Sequence, residues 1–113
     1  MHVDKQPNLD PDNAFVEVAV EVFRLLADAT RIRIVLALRE GELSVNHLAD
    51  IVDRSPAAVS QHLAKLRWGK LVRVRQEGQR VFYRLTDEHA MRLVVEAIRQ
   101  AEHTVDDIPG HHT

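Results

Sequence analysis

A chain of 113 residues with 45% hydrophobic content is sized for one compact domain, and one this short covers its apolar stripes better as a pair of copies than alone. It has no cysteine, which excludes disulfides, thiolate metal sites and cysteine nucleophiles. A net charge of −2 excludes a histone-like polycation, and no run of about 18 apolar residues is present to span a membrane.

Residues 1–13, MHVDKQPNLDPDN, read as a flexible polar arm without the apolar stretch of a signal peptide, so a cytoplasmic protein is expected. From Ala14 to Ala27, Phe15, Val18, Val22, Leu25 and Leu26 recur at three- and four-residue spacing, which predicts a helix with one buried stripe. Thr30 is expected to cap a second helix through Leu38, ended by Gly41. Ser44 then caps a short helix carrying Val45, Leu48, Ala49 and Ile51. Ser55 and Pro56, as N-cap and first helical residue, open another to about Trp68 with Val59, Leu63 and Leu66 inward. Two short helices joined by a tight turn form a helix-turn-helix pattern.

Leu71–Arg75 and Arg80–Leu85 are β-prone runs around Gln76-Glu77-Gly78-Gln79, which predicts a β-hairpin placed as a wing. A last helix is expected from Asp87, capped by Thr86, to about His103, striped by Ala90, Leu93, Val94, Ala97, Ile98 and Ala101. Pro109 bars its continuation, leaving residues 104–113 as a histidine-containing tail. The expected fold is a mainly α winged helix-turn-helix, with four helices, a two-stranded wing and a fifth helix, over residues 14–103.

Between Gln61 and Arg84 stand seven basic residues (Lys65, Arg67, Lys70, Arg73, Arg75, Arg80, Arg84) against one acid, Glu77. On the second helix of the pair Ala57, Ala58, Ser60, Gln61, His62, Lys65 and Arg67 are expected to face outward, with Ser55 at its start. Gln reads adenine in a bidentate way, Ser and His bond base edges or phosphates, and small alanines allow close approach to the major groove of double-stranded DNA. Lys65, Arg67, Arg73, Arg75 and Arg80 suit phosphates, which supply affinity rather than sequence information. A polar helix in a protein–protein module is the plainer alternative.

The stretches Leu26-Ala27-Asp28-Ala29-Thr30-Arg31-Ile32-Arg33-Ile34, Ser55-Pro56-Ala57-Ala58-Val59-Ser60-Gln61-His62-Leu63-Ala64-Lys65-Leu66 and Gly78-Gln79-Arg80-Val81-Phe82-Tyr83-Arg84-Leu85 resemble the ArsR/SmtB family of metal-responsive repressors. The resemblance covers about residues 15–103. It implies a homodimer formed by the first and last helices, an operator-bound apo state and release of DNA by metal. Glu21-Val22-Phe23-Arg24, Glu88-His89, Ala101-Glu102-His103 and the Ile108-Pro109-x-His-His ending are most similar to KmtR-type nickel/cobalt sensors. The family's cysteine pair is replaced by Leu43-Ser44-Val45-Asn46-His47, which disfavours arsenite, cadmium or lead as effector.

Four of the seven histidines, His89, His103, His111 and His112, fall in the last 25 residues beside Asp87, Glu88 and Glu102. Imidazole and carboxylate suit zinc, nickel or cobalt. His89 and His103 return to nearly one helical face but stand about 21 Å apart along it, so one chain cannot bring both to one ion. Two such helices packed antiparallel across a dimer axis can, pairing His89 and Asp87 of one with Glu102 and His103 of the other. Glu102 is turned about 140° from His89 and enters chiefly through the resemblance. Gln100 stands where the family's zinc sensors carry a histidine. With His111 and His112 folding back, five or six N/O ligands favour Ni(II) or Co(II) over Zn(II). The alternative keeps DNA binding with Zn(II) or a non-metal effector and leaves the tail histidines in solvent. No His-Glu-x-x-His, nucleophile elbow or phosphate loop occurs, so neither an enzyme nor an organic cofactor is expected.

Overall fold

The structure is a computed structural model that describes residues 6–106. Along them run α1 (Val16–Leu26), α2 (Ala29–Ala37), a 3-10 turn (Leu38–Glu40), β1 (Leu43–Ser44), α3 (Val45–Val52), α4 (Pro56–Trp68), β2 (Val72–Glu77), β3 (Arg80–Leu85) and α5 (His89–Asp106). The three strands form one antiparallel sheet in the order β1-β3-β2. This is a mainly helical winged helix-turn-helix.

The caps of the helix-turn-helix follow from its serines. Ser44 Oγ accepts from the backbone N–H of His47 (3.2 Å) and Ser55 Oγ from that of Ala58 (3.1 Å), each satisfying a donor that the first helical turn leaves free. Between them Asp53 ends α3 in the left-handed conformation at φ 54, which a short polar side chain tolerates. That tight exit sets α4 across α3. The buried stripe of α4 (Val59, Leu63, Leu66) packs with Leu48, Ala49 and Val52 of α3, Ile34 of α2, Leu38 and Val72 into the main core.

The hairpin is longer than expected. β2 runs to Glu77 and the turn shrinks to Gly78-Gln79, with Gly78 at φ +61 where a side chain is disfavoured. Val72 pairs with Leu85 and Glu77 with Arg80. β1, which has no counterpart in the sequence reading, adds Leu43 opposite Tyr83 and Ser44 opposite Phe82. Two residues are too few for any alternation to register.

Two caps differ from expectation. Asp28, not Thr30, caps α2, its carboxylate accepting from the Arg31 backbone N–H (3.0 Å), while Thr30 is buried inside the helix. Asp87, not Thr86, serves the start of α5, accepting from the His89 backbone N–H (2.9 Å), and Thr86 Oγ1 is buried without a partner among the described residues. In both places the residue that caps is the one whose side chain remains near solvent.

The second, smaller core joins α1, α2 and α5 through Leu26, Val35, Ala90 and Val94. Here the expected burial of α1 fails within one chain. Phe15 is 73% exposed, Val18 59% and Phe23 59%, and only Leu26 of the helix is buried. On α5 only Ala90 and Val94 are buried, and Ala97, Ala101 and Val105 stay open.

Candidate functional site

The outer face of α4 carries Ser60, Gln61, Lys65 and Arg67 exposed, with Ser55 and Ala57 at its start, as the sequence pattern requires. Ala58 is half-buried at the edge of this face. His62 departs from expectation: its ring turns back towards the start of α2, where Nδ1 lies 3.1 Å from Arg31 Nη1 and 3.9 Å from Asp28 Oδ1. The Arg31 backbone N–H, followed by the charge of the Arg31 guanidinium, holds the Asp28 carboxyl below the usual carboxylate range.

The wing arginines divide into two kinds. Arg73 and Arg80 are exposed, and Arg80 lies over the Phe82 ring at 5.0 Å. Arg75 lies over the same ring at 4.7 Å but binds Glu42 through both Nε and Nη2, and Glu77 through Nη1. Its guanidinium is pushed above its ordinary value, and Glu42 is held below the carboxylate range chiefly by that hydrogen-bonded Arg75. Arg75 therefore fastens the wing to the loop before β1, where the sequence reading gave it a phosphate contact. Glu42 stands 33 residues away, and no local pattern links the two.

The histidine and acid pairs lie at opposite ends of α5. His89 is its first residue, Asp87 precedes it, and Glu102 and His103 sit in the exposed last stretch. Among the described residues no three His, Asp or Glu side chains come together as a metal site. His111 and His112 lie outside the described residues. The donor chemistry fits a borderline divalent cation, yet a single chain places its two halves a helix length apart.

The pattern described as "Bacterial regulatory protein, arsR family" matches residues 28–73, from the cap of α2 into β2. Across 112 residues the chain is 49% identical to the HTH-type transcriptional regulator KmtR of Mycobacterium tuberculosis, covering 99% of this chain and 85% of that protein. It belongs to the ArsR family. This ArsR-family chain is also 37% identical over 91 residues to the HTH-type transcriptional repressor SmtB of M. tuberculosis, covering 80% of this chain and 67% of that protein. In fold it is similar to a homodimeric winged helix-turn-helix DNA-binding domain of a possible ArsR-family regulator from Mycobacterium bovis, with TM-score 0.74 and 28% identity over 97% of this chain and all of that one.

The family membership makes the protein a transcriptional regulator with a winged helix-turn-helix DNA-binding domain and not an enzyme. Among the described residues no helix is long and apolar enough to cross a membrane. In the ArsR-family chain the residue that sequence reasoning passed over is Arg31. It lies within the quoted Asp28-Ala29-Thr30-Arg31 stretch, but its reach to α4 spans 31 residues and left no periodic signal.

Proposed function

We propose that the protein is a cytoplasmic, homodimeric, metal-responsive repressor that binds an imperfect operator palindrome and is released by Ni(II) or Co(II), raising expression of a metal exporter. The observation that carries this reading is the arrangement of α5. His-and-acid pairs occupy its two ends, and Ala97, Ala101 and Val105 are open, as are Phe15 and Val18 at the start of the α1 stripe. Pairing those stripes with a second copy buries surface that water otherwise covers, at roughly 25 cal/mol per Å². If the two α5 helices run antiparallel, Asp87 and His89 approach Glu102 and His103 of the partner subunit, with His111 and His112 as further ligands. A divalent ion there supplies a bridge between subunits that favours one relative placement of the two α4 helices.

On the DNA side, Ala57, Ala58, Ser60 and Gln61 enter the major groove, while Lys65, Arg67, Arg73 and Arg80 take phosphates. The seven-to-one excess of basic residues between Gln61 and Arg84, in a chain that is acidic overall, supports that assignment. Gel-shift titration of an operator fragment with each metal tests the whole. Nickel or cobalt is expected to release DNA, and His89→Ala or His103→Ala to bind DNA but ignore the metal. Full DNA affinity at saturating nickel, cobalt and zinc removes the sensor; release by zinc alone replaces the metal assignment.

A further inference from the structure

Arg31 lies in the first turn of α2, off the outer face of α4, yet its side chain spans three helices. Nε donates to the carbonyl of Leu25 near the end of α1 (2.6 Å), and Nη1 approaches His62 Nδ1 on α4 (3.1 Å). A guanidinium has only donors. Nδ1 must therefore be the acceptor, which leaves the imidazole neutral with its single proton on Nε2. Nε2 has no hydrogen-bond partner among the described residues and is not fully buried, which leaves it free to donate outward. The side chain is 23% exposed, between Gln61 and the buried Leu63, at the rim of the face that carries Ser60, Gln61 and Lys65.

We propose that Arg31 is a positioning residue for DNA recognition: it holds His62 in the Nε2–H form, so that one fixed donor at the rim of α4 meets a hydrogen-bond acceptor of the duplex. This rests on the DNA-binding reading above and deepens it. The acceptor is either a base-edge atom, such as purine N7, guanine O6 or thymine O4, or a phosphate oxygen. The groups that face the ring are Arg31 and Asp28 from α2, with the Lys65 cation one turn on along α4.

Asp28 makes the tautomer a choice between two neighbours. Its Oδ1 lies 3.9 Å from the same Nδ1 and is an acceptor, so it favours a proton on Nδ1 where Arg31 forbids one. Without the guanidinium the carboxylate takes that Nδ1–H and Nε2 becomes a lone pair. A donor towards DNA would become an acceptor, facing acceptors. The Leu25 bond adds a mechanical link, because Arg31 grips the end of α1 with Nε while it orients the ring with Nη1.

Two measurements on the full chain test this. Nitrogen-15 NMR of the His62 ring is expected to show Nε2 protonated and Nδ1 bare in the wild type and in Arg31→Lys, which keeps a donor, and a proton moved to Nδ1 in Arg31→Leu. Selection from a random duplex library, with affinities on the selected duplex, is then compared for two variants of His62. His62→Gln keeps a donor near the Nε2 position and is expected to retain the wild-type preference. His62→Asn keeps an acceptor near Nδ1 and loses the outward donor, so it is expected to bind about 3- to 10-fold more weakly for each half-site, as one hydrogen bond is worth.

A loss confined to one base pair in each half-site identifies a base edge, and a uniform loss identifies a phosphate. A wild-type ring protonated on Nδ1, or a His62→Asn protein as tight and selective as the wild type, overturns the proposal. A wild type that selects no duplex overturns the DNA-binding reading and this proposal together. Should Arg31→Leu fail to fold, the wild-type spectrum and the two His62 variants still decide.

Discussion

The helix-turn-helix with its wing and the region of α1 and α5 both carry apolar stripes but are finished to different degrees. The first packs Ile34, Leu38, Leu48, Ala49, Val52, Val59, Leu63, Leu66 and Val72 into one closed core. The second buries only Leu26, Ala90 and Val94, against Val35 of α2, and leaves Phe15, Val18, Phe23, Ala97 and Ala101 open. A chain this small cannot close both. The comparison teaches that the DNA-reading unit closes its core within one chain, whereas the unit carrying the candidate metal ligands leaves apolar surface uncovered. A regulatory site placed in the unfinished half can act on subunit placement without disturbing the reading surface.

Putting a charge into the open half is expected to have the largest effect. Phe23→Asp keeps the closed core intact but is expected to give a monomer in sedimentation. It should bind operator DNA about 100-fold or more weakly, because two linked half-site contacts become one. Its circular dichroism is expected to match the wild type. A dimer that survives this substitution places the interface elsewhere.

Truncation in the closed half attacks stability instead. Leu63 is fully buried at the centre of the main core, so Leu63→Ala is expected to cost about 2–5 kcal/mol in urea unfolding. The two substitutions together separate the halves. One changes association with little change in fold, and the other changes the fold.

Within the wing the contrast is smaller. Arg80→Gln is expected to lower the slope of log affinity against log salt by about 2 for the dimer, the signature of one lost phosphate contact in each subunit. Arg75→Gln is expected to leave that slope unchanged, because its charge is already met by Glu42 and Glu77. Equal slopes for the two variants would mean that Arg75 leaves its carboxylates when DNA arrives.

Much of this was legible because it is local. Ser44, Ser55-Pro56, the stripe of α4 and the glycine turn of the wing each announce themselves within one or two turns of chain, and the caps and hairpin stand where those residues put them. What was illegible depends on distant pairing. Arg75 and His62 look like free polar surface in sequence, and only the folded chain brings Glu42 to one and Arg31 to the other. Thr30 and Asp28 are both good caps two residues apart, and the core decided between them by burying Thr30. The metal face was legible as a ligand set and not as a site, because one chain sets its His-and-acid pairs at opposite ends of α5 and the proposed site takes its other half from a second copy.

The smallest effect lies at the joint between the two halves. Asp28 caps α2 and faces both Arg31 and His62, and the Arg31 backbone N–H is the largest cause of its lowered carboxyl. A folded-state value below the unfolded one means that the ionised cap contributes stability fully above the ordinary carboxylate range. That contribution is lost as pH falls through the folded-state value. Asp28→Ala is therefore expected to cost about 1 kcal/mol at neutral pH, and less as the solution is acidified. Asp28→Asn keeps a neutral cap and is expected to recover most of that loss while flattening the acid-side dependence. Urea titrations across a pH series read both. An Asp28→Asn protein with an unchanged acid slope would assign that slope to other carboxylates.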